Sequence, residues 1–287
     1  MDMTRHHRIH SADGTGLSVV DTGPQDGAPI LLVHGWAQSH ACWQRQLESP
    51  LATTHRLVAL DLRGHGTSDA PETEQAYAGS EGWAADLHAI LTTLSFDRPV
   101  LVGWSYGARV IAEYLDVHGD AAIAGVVLAG GIAATGAARE PWMLGPASPA
   151  LNRDLYTDDP TRRLQATLAF QEACTATPLP RAQIAAFTAE AMRVSGLTRR
   201  AMFAADRDLR PIYARLGRPV LIIHGEKDAV VAPATGAALA AAIPQATYLP
   251  MQGAGHAPFL DAPERFNEAL AEFTATARAA APAPEPR

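Results

Sequence analysis

The sequence is poor in cysteine and lysine and has no long hydrophobic run: its 287 residues include two cysteines and a single lysine, Lys227. Cys42 and Cys174 lie far apart, which excludes a closely spaced zinc or redox motif, and we interpret them as reduced thiols. No apolar stretch reaches about 18 residues, so no transmembrane helix is expected. Residues 1–8 lack the apolar region of a secretory signal peptide, which makes the cytoplasm the expected location.

Positive charge is also scarce. The chain carries 23 Lys and Arg residues against 30 Asp and Glu residues, a formal net charge of −7 at pH 7. This balance argues against nucleic acid and against an anionic membrane surface as partners. Hydrophobic residues make up 47% and charged residues 18% of the chain, which is an ordinary balance for a globular protein. A length of 287 residues is enough for one large α/β domain or two small ones.

Short apolar runs alternate with helical patterns along most of the chain. The runs are continuous, which indicates strands buried on both faces of a sheet. Strands joined by helices predict a mainly parallel sheet with helices on both faces. The predicted strands are 30–33, 56–60, 100–102, 123–128, 219–224 and 246–249, preceded by a hairpin over 9–21, and the predicted helices include 40–51, 83–94, 232–243 and 263–278.

The regular alternation stops between residues 133 and 218. This stretch contains no strand-like run, and we interpret it as a helical cap inserted into a core domain formed by residues 1–132 and 219–278. Its helical patterns cover 161–173, 181–194 and 199–216. Residues 279–287 are rich in Ala and Pro and are expected to form a disordered tail.

The most informative stretch is the pentapeptide 103–107, Gly-Trp-Ser-Tyr-Gly, between a predicted strand and a helical pattern. A chain that changes from strand to helix within five residues must turn sharply, and glycines on both sides relieve the crowding. Ser105 would then hold a strained backbone conformation with its hydroxyl pointing out of the turn, beside the unpaired amides of a helix N-terminus. The pattern therefore predicts that Ser105 is a nucleophile.

A serine nucleophile needs a base that removes its proton, and an imidazole base needs a carboxylate that fixes its tautomer. His256, in a loop after the last predicted strand, is the candidate base. Asp228 follows the preceding strand and is the candidate acid, with Asp261 as its rival. The order Ser, Asp, His along the chain agrees with this assignment. The other histidines considered as bases are His34, His65, His88, His118 and His224.

The oxyanion that forms during attack needs two hydrogen-bond donors. The amide of Tyr106, directly after the nucleophile, is one candidate, and the amide of Trp36 is the other, in a loop that His34 is expected to order. No metal-ligand spacing is evident, so neither a metal nor another cofactor is expected. The candidate pocket residues are large side chains near the site or in the cap: Trp36, Trp104, Trp142, Met143, Phe170 and Phe203.

With these motifs in place, the chain resembles the α/β-hydrolase-fold superfamily over residues 9–278. The matching motifs are His-Gly-Trp at 34–36, Asp-Leu-Arg-Gly-His-Gly-Thr-Ser at 61–68, the serine pentapeptide, His-Gly-Glu-Lys-Asp at 224–228 and Gly-Ala-Gly-His at 253–256. The segment 105–119 is similar to cofactor-free haloperoxidase or perhydrolase-type esterases, and the two Trp-containing motifs resemble pimeloyl-carrier-protein methyl esterases. The resemblance implies an eight-stranded sheet whose second strand is antiparallel, with a lid after the sixth strand.

The resemblance also implies a serine hydrolase that cleaves small to medium carboxylic esters through an acyl-enzyme, with a small-molecule ester as its partner. Perhydrolase, lactonase, methyl-ester, amide and C–C bond hydrolysis stay open as alternatives. A ligand-binding or receptor-like member of the fold is the alternative from outside catalysis. Family members that act on epoxides or haloalkanes place Asp at the nucleophile position, so Ser105 disfavours those reactions. The sequence does not indicate an oligomeric state.

Overall fold

The computed structural model describes residues 4–280, in which the predicted sheet is confirmed as eight strands flanked by helices. The strands are β1 (Arg5–His10), β2 (Gly16–Thr22), β3 (Ala28–Val33), β4 (His55–Leu60), β5 (Val100–Trp104), β6 (Gly125–Ala129), β7 (Val220–Gly225) and β8 (Ala246–Met251). Their order is β1-β2-β4-β3-β5-β6-β7-β8. Strand β2 is antiparallel to β1 and β4, and the other pairs are parallel.

Burial explains the sequence pattern of the strands. Every residue of β5 and β6 is buried, because both lie in the middle of the sheet under helices on each face. Strand β1 alternates between exposed and covered residues and β8 is only partly buried, as expected at the two edges. The predicted hairpin is confirmed, with Arg5 opposite Asp21 and His10 opposite Gly16.

Eight helices of five residues or more pack around the sheet within residues 4–280: α1 (Ser80–Thr93), α2 (Gly107–His118), α3 (Pro160–Ala173), α4 (Arg181–Arg193), α5 (Gly196–Ala201), α6 (Arg210–Ala214), α7 (Pro233–Ala242) and α8 (Pro263–Ala280). The single helix predicted for 40–51 is wrong. Ser39 does cap a turn at its start, but only short turns follow, and Pro50 lacks the amide that a continuous helix requires.

The segment 133–218 lies between β6 and β7, after the sixth strand of the sheet. Two expectations for it are corrected. It is not free of strands, because Ala134–Thr135 pairs with Arg207–Asp208, a ribbon too short to produce a hydrophobic pattern. The helix predicted for 199–216 is two short helices, α5 and α6, separated by this second strand, and Pro211 lies in the first turn of the later one.

The carboxyl ends of the parallel strands share one edge of the sheet, and the predicted site residues follow them there. Helix α8 continues to Ala280, two residues into the predicted disordered tail, and 281–287 lie outside the described residues. None of the helices within residues 4–280 combines the length and apolar character that a membrane span requires.

Candidate active site

Ser105 connects β5 to α2 in a strained turn. Its φ is 53°, in the left-handed region that residues other than glycine rarely adopt. Its amide donates to the carbonyl of Ala129 over 3.0 Å, so the neighbouring strand β6 holds the turn in place. The residue is 9% exposed and lines a pocket at this edge of the sheet. The sharp turn expected from the pentapeptide is therefore present.

The glycines of the pentapeptide are required by close backbone approach. A Cβ atom at Gly103 would lie 2.8 Å from the amide nitrogen of Ala108, in the first turn of α2. A Cβ at Gly107 would overlap the carbonyl oxygen of Val33 at the end of β3. Only glycine at both positions lets the helix start directly against the sheet.

Asp228 and His256 form a buried pair. Nδ1 of His256 lies 2.9 Å from Oδ2 of Asp228, and Oδ1 accepts hydrogen bonds from the amides of Val230 and Val231 at 2.8 and 2.9 Å. The two amides fix the orientation of the carboxylate. Because a carboxylate only accepts, Nδ1 of His256 carries the proton and Nε2 is left as the basic nitrogen.

The electrostatics of the pair favour an ionised carboxylate. Burial by itself raises the pKa of Asp228. The charge of His256 and the hydrogen bonds from His224 and His256 outweigh burial and hold that pKa well below its ordinary value. The Asp228 carboxylate can therefore stabilise an imidazolium on His256.

Trp104 and Gly130 connect the turn of the candidate nucleophile Ser105 to this pair. Trp104, directly before Ser105, donates from Nε1 to the carbonyl of His256 over 2.9 Å. A Cβ at Gly130 would lie 2.6 Å from the same carbonyl oxygen and 3.5 Å from Oδ2 of Asp228. Among the described residues, no hydrogen bond joins the Ser105 hydroxyl to the imidazole. Such bonds often tighten only when substrate is bound.

His224 also contacts the carboxylate, which we did not anticipate from the sequence. Its Nε2 lies 3.0 Å from Oδ2 of Asp228 and 3.1 Å from the carbonyl of Val231. Both partners are acceptors, so Nε2 carries the proton and donates to them. The sequence shows His224 and Asp228 four residues apart, but only the turn after β7 brings the two side chains together.

The two candidate oxyanion donors face no acceptor within the described residues: neither the amide of Trp36 nor that of Tyr106 donates a hydrogen bond to the protein. The loop that carries Trp36 lies against Ser105, because a Cβ at Gly35 would lie 3.1 Å from Cβ of Ser105. Both amides are therefore available to an oxygen atom bound beside Ser105.

Two neutral histidines order this loop. His34 accepts from the amide of Leu62 through Nε2 at 3.0 Å and donates from Nδ1 to the carbonyl of Gly35 at 2.7 Å. His65 accepts from the amide of Ala37 through Nε2 at 3.3 Å, and its ring centroid lies 5.1 Å from that of His34. Burial lowers the pKa of His34 to about 4 and that of His65 to about 3. Neutral rings are required because each Nε2 must accept.

Ser105 is one of the residues that line a pocket. Four of the six candidate pocket residues line it, namely Trp36, Met143, Phe170 and Phe203. The other two require correction. The ring centroid of Trp104 lies 5.1 Å from that of Phe259 beneath the site, and its indole N–H donates to the carbonyl of His256. Trp142 is 39% exposed and donates to Glu140 at the surface.

Aromatic rings from the segment 133–218 surround Trp36. The ring centroids of Tyr156, Phe170 and Phe203 lie 5.5, 5.5 and 6.2 Å from that of Trp36. Tyr156 was missed because it ends a short 3-10 turn outside the helical patterns. The contacts bring the inserted segment directly over the loop of the candidate oxyanion donor.

Asp261, the rival acid, has a different role in the structure. Its two carboxylate oxygens accept from the amides of Ala176, Thr177 and Gly255 at 2.7–2.9 Å. It thereby ties the loop before His256 to the inserted segment. It makes no hydrogen bond to an imidazole among the described residues.

Cysteine thiols and metal ions are the remaining candidates for chemistry at the site. Cys42 and Cys174 are free and buried, and burial raises the pKa of both thiols. Within residues 4–280, no group of three or more His, Cys, Asp or Glu side chains is arranged to hold a metal ion. The groups that can take part in chemistry are thus a serine that lines the pocket, an imidazole paired with a carboxylate, and two amides without a protein acceptor.

Comparison with known proteins agrees with this architecture. The family model for the α/β hydrolase fold matches residues 28–263. The AB hydrolase superfamily protein YisY of Bacillus subtilis is 28% identical over 278 residues, which cover 93% of this chain and 98% of that protein. A non-heme chloroperoxidase of Streptomyces lividans is 29% identical over 283 residues, covering 92% and 98% of the two chains.

Solved structures give the same result. The esterase RhEst1 from Rhodococcus sp. ECU1013 superimposes with a TM-score of 0.88 at 35% sequence identity, and the match covers 96% of this chain and 99% of that one. The predictions of the fold and of a hydrolytic enzyme are confirmed by these matches. This protein belongs to the α/β hydrolase fold family and is a hydrolase.

Proposed function

We propose that this hydrolase cleaves carboxylic esters of small to medium size through an acyl-enzyme on Ser105. His256 acts as the general base and acid, Asp228 orients it, and the amides of Trp36 and Tyr106 bind the oxyanion. Segment 133–218 acts as a cap that shields the reaction from water. The observation that carries the proposal is the His256–Asp228 hydrogen bond of 2.9 Å next to a serine held at φ 53°.

In the first half of the reaction, Oγ of Ser105 attacks the ester carbonyl while Nε2 of His256 takes the hydroxyl proton. The new C–Oγ bond moves a carbonyl electron pair onto oxygen, where the two amides stabilise the charge. Collapse breaks the bond to the alcohol, which leaves with the proton from His256.

In the second half, water adds to the acyl group and gives a proton to His256. The bond to Oγ then breaks, Ser105 regains its proton, and a carboxylic acid is released. The apolar pocket residues Met143, Phe170 and Phe203 support an aliphatic or aromatic acyl group, since apolar side chains favour apolar atoms of a ligand.

The test is Ser105→Ala with p-nitrophenyl acetate, butyrate and octanoate. We expect kcat/KM to fall by roughly 10⁴-fold or more. A fluorophosphonate probe should label wild-type Ser105, as read by peptide mass spectrometry. Ser148→Ala is the matched control for labelling, because Ser148 is the other serine that lines the pocket. Undiminished hydrolysis by Ser105→Ala would refute the proposal, and an acylation burst without steady turnover would favour a ligand-binding protein.

A second acyl acceptor is suggested by the similarity to the Streptomyces lividans chloroperoxidase. Hydrogen peroxide in place of water would attack the acyl-enzyme and release a peracid. We expect peracid from p-nitrophenyl acetate and peroxide, detected by oxidation of bromide, and none from Ser105→Ala. Hydrolysis without peracid formation would exclude this activity and leave the esterase proposal intact.

A further inference from the structure

Arg139 is the one charged residue that lines the pocket, as far as the described residues 4–280 show. The remaining wall is mainly apolar, and Met143, Leu144, Phe170 and Val230 are part of it. Placing a cation in an apolar wall costs free energy unless an acceptor replaces the water that it loses. We therefore expect Arg139 to have such an acceptor.

The guanidinium of Arg139 lies over the face of Phe203, with Cζ 5.0 Å from the ring centroid. Phe203 in turn packs on Tyr106 and Trp36, with ring centroids 5.3 and 6.2 Å away. Arg139 is thus one aromatic ring away from both residues whose amides we assign to the oxyanion site. A guanidinium that stacks by its face keeps its edge N–H groups free for a planar acceptor.

The N–H groups on the edge of the Arg139 guanidinium form few hydrogen bonds with the protein. Only Nε of Arg139 donates, to the carbonyl of Gly136 at 3.3 Å, and no carboxylate within the described residues forms an ion pair with it. The neighbouring Glu140 accepts from Trp142 and lies 3.6 Å from Arg210 instead. Asp206 accepts from the amide of Ala137 at 2.6 Å.

Two other arginines of the same segment are bonded to acceptors of the protein. Arg199 donates to the carbonyls of Leu155 and Ala191 at 2.9 and 2.6 Å, and Arg207 donates to Glu113 at 2.7 Å. Both arginines are thus bonded within the fold. Arg139 differs because it lines the pocket, and its two terminal nitrogens bond to no acceptor among the described residues.

We propose that Arg139 binds a carboxylate on the substrate, so that the preferred esters carry an anionic group at the end of a short aliphatic chain. The apolar wall holds the chain, and the guanidinium forms a bidentate hydrogen-bonded pair with the carboxylate. Attraction is stronger in a half-buried pocket than in water. This inference rests on the proposed esterase function and adds the substrate class to it.

Monoethyl adipate and its neutral amide isostere, ethyl adipamate, are the paired probes, with hydrolysis followed by pH-stat titration. For the wild type we expect kcat/KM to be at least about tenfold higher for the anion, since a hydrogen bond to a charged group contributes that much. Sodium 6-acetoxyhexanoate carries the anion on the alcohol side. Comparison of its rate with that of 6-acetoxyhexanamide shows which half of the ester reaches Arg139.

Three variants test the residue. Arg139→Met keeps the length of the side chain and should abolish the preference for the anion mainly through a higher KM, while the amide is cleaved as before. Arg139→Lys should retain part of the preference, and Arg139→Glu should reverse it. Arg193→Met is the matched control, because Arg193 is exposed and does not line the pocket.

Equal rates for anion and amide in the wild type would overturn this inference, as would a Met variant that loses activity on both substrates alike. If the Arg139 variants do not fold, calorimetric titration of Ser105→Ala with monoethyl adipate and ethyl adipamate still decides, because equal affinities contradict the proposal. The two proposals are tested separately. Hydrolysis that survives Ser105→Ala refutes the esterase mechanism, whereas hydrolysis without a preference for the anion refutes only the role of Arg139.

Discussion

Oδ2 of Asp228 lies 2.9 Å from Nδ1 of His256. The same oxygen lies 3.0 Å from Nε2 of His224, so one carboxylate oxygen faces two imidazoles. The other oxygen is held by two backbone amides, and neither oxygen can turn away without losing partners. The carboxylate is thereby fixed before any substrate arrives, which is the arrangement that electrostatic stabilisation of a transition state requires.

The first prediction concerns Asp228 itself. Asp228→Asn should lower kcat on the order of 10⁴-fold, because an amide in place of the carboxylate favours the wrong tautomer of His256. Steady-state kinetics on a p-nitrophenyl ester measure the change. Asp261→Asn is the comparison. It should reduce thermal stability, because a side-chain amide accepts weaker hydrogen bonds than a carboxylate from the backbone amides of Ala176 and Gly255, and it should lower kcat much less. Equal losses in kcat would contradict the assignment of the acid.

The second prediction concerns His224. His224→Phe removes a donor from Asp228, and we expect kcat to fall about tenfold. His224→Gln retains a donor and should recover most of the rate. A Phe variant with the wild-type kcat would show that His224 only fills space.

The third prediction concerns the turn. Gly107→Ala places a Cβ against the carbonyl oxygen of Val33, and neither backbone can move without separating α2 from the sheet. We expect a loss of more than about 3 kcal/mol in the free energy of unfolding, or no soluble protein. Gly217→Ala is the control, since its Cβ would meet only Asp120 at 3.6 Å. Urea denaturation compares them, and a fully stable Gly107→Ala protein would contradict the packing argument.

The fourth prediction is a pH dependence of stability. An unfolded histidine takes up a proton near pH 6.5. Folded His34 stays neutral down to about pH 4 and folded His65 down to about pH 3. Between about pH 7 and pH 4 the unfolded state therefore binds more protons than the folded state. The free energy of unfolding falls as the pH falls through this range. The slope is at most about 1.4 kcal/mol per pH unit for each histidine.

Urea denaturation at pH 7, 6 and 5 measures this slope. His34→Gln and His65→Gln should be less stable at pH 7 and should depend less on pH, whereas His6→Gln, at an exposed position, should keep the wild-type slope. His40 acts in the opposite direction, because its hydrogen bond to Asp61 raises its pKa, but it is present in every variant. An unchanged slope in the two Gln variants would contradict the role of burial.

Much of the fold could be predicted because it depends on local rules. Continuous apolar runs mark β3 to β7, and the pentapeptide around Ser105 shows where strand becomes helix. The errors fall in the segment 133–218 and in 40–51. There, short turns and a two-residue ribbon are stabilised by contacts with the rest of the protein, which leave no periodic pattern in the sequence.

The sequence by itself determined the strand–serine–helix turn, the order of Ser105, Asp228 and His256, and the positions of those residues after strands, because backbone sterics and hydrophobic periodicity act over a few neighbouring residues. Tertiary structure alone decided which distant side chains meet. It placed His224 against Asp228, turned Phe170 and Phe203 toward the pocket, and left Trp142 in solvent. These outcomes depend on how helices and loops pack across the sheet, and the direction of each side chain follows from that packing rather than from its place in the sequence.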